Sequence, residues 1–127
     1  MNEYLLLFLL FEFKHFICDF LLQTKYMLGK FNDKFKDYWY PLYLHASING
    51  CGAFLISIFI SNNDNNIKAS ILIFIIEIIL HFIIDRIKAS KKLLNRWDIK
   101  EKQFWWSLGF DQMLHRICYI LYIFMIL

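Results

Sequence analysis

The chain has 127 residues, 59% of them hydrophobic and 20% aromatic, with one proline, four glycines and a formal net charge of +3. That is one domain's length, and the composition is too apolar and too poor in loop residues for an ordinary soluble domain of this size. The small positive balance gives no reason to expect specific nucleic-acid binding, and three cysteines, an odd number, argue against a disulfide framework.

Four apolar stretches are each long enough to cross a bilayer, which takes about 20 residues. They are Tyr4–Thr24, Tyr38–Ile60, Ile67–Ile87 and Phe104–Leu127. The rival reading is a soluble helical bundle, but a soluble helix needs a polar outer face, and the run Ile71–Ile79 offers only Glu77. The first stretch lacks a basic flank and a small-residue cleavage site, so it reads as a retained span rather than a signal peptide. The expected architecture is an all-α membrane domain over residues 1–127. It is built from two similar helical hairpins, 1–60 and 67–127, with a His/Asp-lined interior.

The segment 25–37 holds Lys25, Lys30, Lys34 and Lys36, and the segment 86–103 holds Arg86, Lys88, Lys91, Lys92, Arg96, Lys100 and Lys102. The Asn-rich turn Ser61–Asn66 and its surroundings offer only Lys68, and the termini offer none. Basic loops stay cytoplasmic, so both termini and the Asn-rich turn are expected outside. The same loops are expected to attract anionic lipid headgroups. The partner is the bilayer itself, and the sequence leaves oligomeric state open.

In the first span Glu12, His15, Asp19 and Gln23 follow one another at three, four and four residues. In the second, His45 and Asn49 are four apart; in the third, Glu77, His81, Asp85 and Lys88 are spaced four, four and three; in the fourth, Asp111 and His115 are four apart. Each set occupies one helical face. The segments His15-Phe16-Ile17-Cys18-Asp19 and His81-Phe82-Ile83-Ile84-Asp85 match at four of five positions, and Leu44-His45 recurs as Leu114-His115, which suggests a repeated hairpin. An ionised side chain at a span centre costs about 2.5–3.5 kcal/mol and a Leu, Ile or Phe returns about 0.3–0.6, so these polar faces must meet one another inside the protein. At about 1.5 Å per residue, helices of alternating direction bring all four histidines and Asp19, Asp85 and Asp111 into one layer near the cytoplasmic ends.

Three carboxylates in one low-dielectric layer need protons, basic groups or metal cations. Imidazoles and carboxylates at four-residue spacing are how bundles build mononuclear or dinuclear sites. The expected ligands are His15, Asp19, His45, His81, Asp85, Asp111 and His115, for one or two divalent ions of zinc, manganese or iron rather than calcium. Asp19, Asp85 and Asp111 are the candidate catalytic carboxylates, and Gln23, Lys88 and Gln112 the candidate substrate contacts. A bound divalent ion acidifies water and polarises a phosphoryl oxygen, so the expected activity is metal-dependent hydrolysis of a phosphoester or lipid. The alternative is a proton- or metal-ion-conducting protein or a non-catalytic accessory subunit. Deeper in the spans, Glu12, Lys14, Glu77 and Arg116 are expected to form ion pairs, with Glu12 or Glu77 available as a general base. Cys18 and Cys118 lie near enough to the polar residues to be considered as ligands.

The run His15-x-x-x-Asp19-Phe20-x-x-Gln23, the isolated His45, His81-Phe82-x-x-Asp85-x-x-Lys88 and Asp111-Gln112-x-x-His115 together resemble a bacterial and phage membrane family, domain-of-unknown-function family 3307. The resemblance covers nearly the whole chain. It implies a four-span membrane protein whose recurring polar residues fall on the positions just quoted, and it implies no particular activity. A looser likeness, to membrane-bound metal-dependent hydrolases, rests only on His and Asp scattered over several spans.

Overall fold

A computed structural model describes residues 2–60 and 64–127. The fold is all-α among the described residues: α1 (Glu3–Phe16), α2 (Phe35–Ile60), α3 (Asp64–Ala89) and α4 (Lys102–Ile126). Residues 61–63 of the Asn-rich turn, and the side chains of 64–66, lie outside what is described.

Asn2 starts α1 by accepting a hydrogen bond from the Tyr4 amide through its side-chain carbonyl (3.0 Å), which satisfies one of the first-turn donors. The sequence reading carries this helix to Thr24. Instead it widens into a π-helical turn at Ile17–Leu21, closed by the Leu22 amide donating to the Ile17 carbonyl at 2.9 Å. A π turn changes the bonding by one residue without changing composition, so periodicity does not register it; such turns recur at functional sites. Gln23 therefore falls off the end of the helix. The chain then forms a 3-10 turn, Met27–Phe31, that buries Met27 and Lys30 against α2. Gly29 permits that approach, because a Cβ there would lie 2.9 Å from Pro41 Cγ.

Residue pairs fix the directions. Cys18 meets the Ile48 carbonyl and Lys14 lies over Gly52; His45 meets Asp85 while Phe54 meets Phe74; Lys88 meets Ser107 while Glu77 meets Tyr122; Tyr4 meets Phe124 while Glu12 meets Arg116. In every pair one number rises as the other falls, so neighbours are antiparallel. Each helix packs on the next in chain order and α4 closes on α1.

The apolar core occupies the end away from the basic loops. Leu7, Phe11, Ile73, Tyr119, Tyr122 and Ile123 are buried there, with Phe11 stacked on Tyr119 at 5.4 Å between ring centroids. The outer faces are apolar too. Leu9, Phe13 and Phe20, Leu55 and Phe59, Ile75 and Ile79, and Ile117 and Phe124 are all exposed. Two helices, Phe35–Ile60 and Ile67–Ala89, are long and apolar enough to cross a membrane, and only about a third of each is buried within the protein. The core helix of a soluble protein is mostly buried and turns a polar face to water.

Candidate metal centre

The polar layer sits between that core and the basic loops. α1 supplies His15 in its last turn and Asp19 through the π turn; α2 supplies His45 and Asn49, one turn apart; α3 supplies His81 and Asp85; α4 supplies Asp111, Gln112 and His115. His45, His81 and His115 are at most 1% exposed. The imidazoles stand close together, with centroids 5.0 Å apart for His45–His81, 4.4 Å for His81–His115 and 4.9 Å for His15–His115.

Asp85 is the hub. Its Oδ2 lies 3.2 Å from His45 Nε2, and its Oδ1 lies 3.4 Å from His115 Nε2 and 3.7 Å from His81 Nε2. Asp19 Oδ1 lies 3.5 Å from His45 Nε2 and 3.6 Å from His81 Nε2. Two groups result whose ligand atoms all fall within 4.8 Å of one another: Asp19, His45, His81 and Asp85, and Asp85, Asp111 and His115. Ligands about 2.0–2.2 Å from a shared ion stand roughly 3–4 Å apart, so small side-chain adjustments would close either group on a divalent cation. A His/Asp cluster that could hold a metal ion is thus present, with Asp85 common to both halves.

The donor set fits such an ion on a second count. Buried polar atoms are nearly always paired. Here His45 Nδ1 and Nε2, Asn49 Oδ1, His81 Nδ1, Asp111 Oδ1 and His115 Nε2 are buried without a hydrogen-bond partner among the described residues. His45 Nε2, Asp111 Oδ1 and His115 Nε2 face the two groups, whereas His81 Nδ1 faces Glu77 Oε1 at 3.6 Å and His81 Nε2 lies 3.2 Å from Asn49 Nδ2.

His15 belongs to neither group, although its Nδ1 lies 3.5 Å from Asp19 Oδ2. Its Nε2 faces Gln112 Oε1 at 3.1 Å and its Nδ1 faces the Tyr119 hydroxyl at 2.8 Å, so both ring nitrogens already have partners. Gln112 also donates to Asp111 Oδ2 at 3.1 Å, and Asn49 donates to Asp19 Oδ1 at 2.8 Å. Neither Cys18 nor Cys118 belongs to either group, and both are free thiols, as is Cys51.

On the deep side the layer ends at a buried ion pair between Lys14 and Glu77, with the Tyr122 hydroxyl donating to Glu77 Oε2 at 2.9 Å. Glu12 and Arg116 form a second pair, 3.1 Å apart, on the outer surface. On the basic-loop side the layer opens into a cavity of about 160 Å³ lined by Asp19, Asp85, Asp111, Gln23, Lys30, Lys88 and Gln112. Lys88 itself donates to Ser107 Oγ at 3.3 Å. A larger apolar groove of about 440 Å³ lies between α1 and α2, and none of the layer's histidines or carboxylates lines it.

Two participants escape the sequence reading. Lys30, counted there only as a loop charge, is buried with its Nζ 2.6 Å from Asp85 Oδ2. No periodicity links a loop residue to a span 55 positions away. Tyr119, four residues after His115, was detectable as a continuation of the same face but reads as an aromatic core residue, which it also is.

Fold and site together define a small all-α protein with helices apolar enough for a membrane and a buried His/Asp cluster capable of holding a metal ion. The chain belongs to the family described as Protein of unknown function (DUF3307), whose model matches residues 5–127. No curated protein and no solved structure matches it.

Proposed function

We propose that this chain is a four-span integral membrane protein that binds a divalent metal ion in its His/Asp layer and uses it to hydrolyse a phosphoester presented from the cytoplasmic side. The observation that carries the metal reading is the convergence around Asp85 of His45 Nε2, His115 Nε2 and Asp111 Oδ1, all buried without a hydrogen-bond partner among the described residues. A bound divalent ion would supply an acidified water and a polarised phosphoryl oxygen.

The protein's own groups have definable tasks. Asp19, His45, His81 and Asp85 would hold the ion, with Asp111 and His115 completing a second group beside it, which leaves His15 to orient Gln112 and, through it, Asp111. Lys88, Gln23 and Gln112 line the cavity, where they would contact an anionic phosphate. The cavity volume of about 160 Å³ leaves room for a phosphate-sized group.

The four-span reading is supported by apolar outer faces on all four helices, which in water would be a liability and in lipid are the required surface. The repeated hairpin is supported by His15/Asp19 and His81/Asp85 reaching the same layer from helices that run in the same direction. With the basic loops cytoplasmic, the cavity opens beside anionic headgroups. A conducting path would need polar groups beyond the layer. Past Glu77 and Tyr122 the described residues pack as a largely apolar core whose buried polar side chains, Ser57 and Ser70, carry no charge, which favours a closed site.

The test is a metal count on protein purified in detergent, with phosphate release from soluble and lipid phosphomonoesters measured alongside. Stoichiometric metal in the wild type, lost together with phosphate release in a His81→Ala, Asp85→Asn variant, is the expected outcome. Metal at background level in both proteins would end the metal reading, and stoichiometric metal without phosphate release on either substrate class would end the hydrolase reading alone.

A further inference from the structure

Resting on the reading of the layer as a cation site, we propose that Lys30 is a tethered cation that limits this layer to one divalent ion. A lysine in a loop of basic residues is ordinarily solvated, but Lys30 is only 8% exposed and its Nζ reaches Asp85 Oδ2 at 2.6 Å. Its backbone is clamped in place. Arg86, the residue after Asp85, donates from Nη1 to the carbonyls of Lys30 (3.3 Å) and Asn32 (2.9 Å), and its guanidinium lies 3.5 Å from the centre of the Tyr38 ring. Gly29 seats the turn against Pro41, where any larger residue would collide. The ammonium is thus aimed at the one carboxylate that both ligand groups share.

Charge explains what such a placement does. Asp19, Asp85 and Asp111 contribute three formal negative charges, and imidazoles that bind metal are neutral. Lys14 and Glu77 cancel each other, and Lys88 keeps its charge but stands half-buried at the cavity mouth, where solvent screens it. With Lys30 seated, the layer carries a net charge of −2, which one divalent ion brings to zero. Uncompensated charge in a low-dielectric layer is strongly disfavoured. The ligands nevertheless form two groups around Asp85, enough for two ions. Without Lys30 the layer carries −3, more than one divalent ion neutralises, and the second group becomes available.

Equilibrium dialysis of the purified chain against zinc tests this. The expected values are one zinc per wild-type chain, one for Lys30→Arg, which keeps the charge, and two for Lys30→Met. Two in the wild type, or no increase in Lys30→Met, overturns the proposal, whereas no zinc in any of the three proteins overturns the metal reading beneath it as well. A second measurement needs no variant. In the zinc-loaded wild type an amine-acylating reagent should modify the exposed Lys34 and Lys36 and spare Lys30. Acylation of Lys30 on zinc loading would mean that the ion displaces the lysine instead of sitting beside it, and would overturn the proposal even if Lys30→Met failed to fold.

Discussion

Replacing Lys14 with methionine is the sharpest probe of the packing beneath the layer. Lys14 and Glu77 are both almost wholly buried and paired, and the Lys14 stem lies over Gly52, so methionine keeps the packing and removes only the charge. Glu77 would retain the Tyr122 hydroxyl at 2.9 Å but no cation. Removing one partner of a buried pair costs about 3–5 kcal/mol, because the other charge is left uncompensated. Removing both in Lys14→Met, Glu77→Leu eliminates the stranded charge and leaves one orphaned hydroxyl, at a cost of about 1–3 kcal/mol. Each single variant should therefore be less stable than the double, with a coupling energy of about 3 kcal/mol or more. Reversible unfolding in mixed micelles, followed by far-ultraviolet circular dichroism, measures all four corners of the cycle. Single costs below about 1 kcal/mol that add within about 0.5 kcal/mol would refute the assignment of this pair as a buried, mutually dependent unit.

The glycines should separate cleanly in the same assay. Gly50→Ala brings a Cβ within 2.6 Å of Ile78 Cγ1 and 3.2 Å of the Phe74 carbonyl and should destabilise by about 1–3 kcal/mol, whereas Gly109→Ala meets nothing within 4 Å and should stabilise by about 0.5–1 kcal/mol. His15→Ala should leave the metal count unchanged and weaken affinity about 10–100-fold, as loss of a supporting residue does, while His45→Ala should abolish binding; equal loss in both would place His15 among the ligands. In a background lacking Cys18, Cys51 and Cys118, an impermeant thiol reagent applied to intact cells should label a cysteine at Asn65 and spare one at Lys92, and the opposite pattern would invert the proposed topology.

The sequence made the layer legible because helical spacing and depth are simple arithmetic. His81 and Asp85 at four residues, and His45 against Asp85 in an antiparallel neighbour, follow from period and direction alone. The ion pairs were also within reach: Glu12, Lys14, Glu77 and Arg116 are too costly at those depths to stay single, although composition could not say that Glu12 takes Arg116 and Glu77 takes Lys14. What stayed hidden depends on irregular backbone. The π turn at Ile17–Leu21 and the 3-10 turn at Met27–Phe31 carry no periodic signal, so Lys30 could not be connected to Asp85. The position of His15 outside both ligand groups is equally invisible to spacing. It depends on which way the ring faces, and Tyr119 and Gln112 decide that.

The most direct test of the central claim is to locate the ion. Anomalous diffraction at the zinc edge, on crystals of the chain loaded with zinc, should give a peak within bonding distance of Asp85 and of at least one of His45, His81 and His115, with Lys30 still seated. A loaded crystal with no peak in the layer, or with its only peaks on surface residues, would contradict the account.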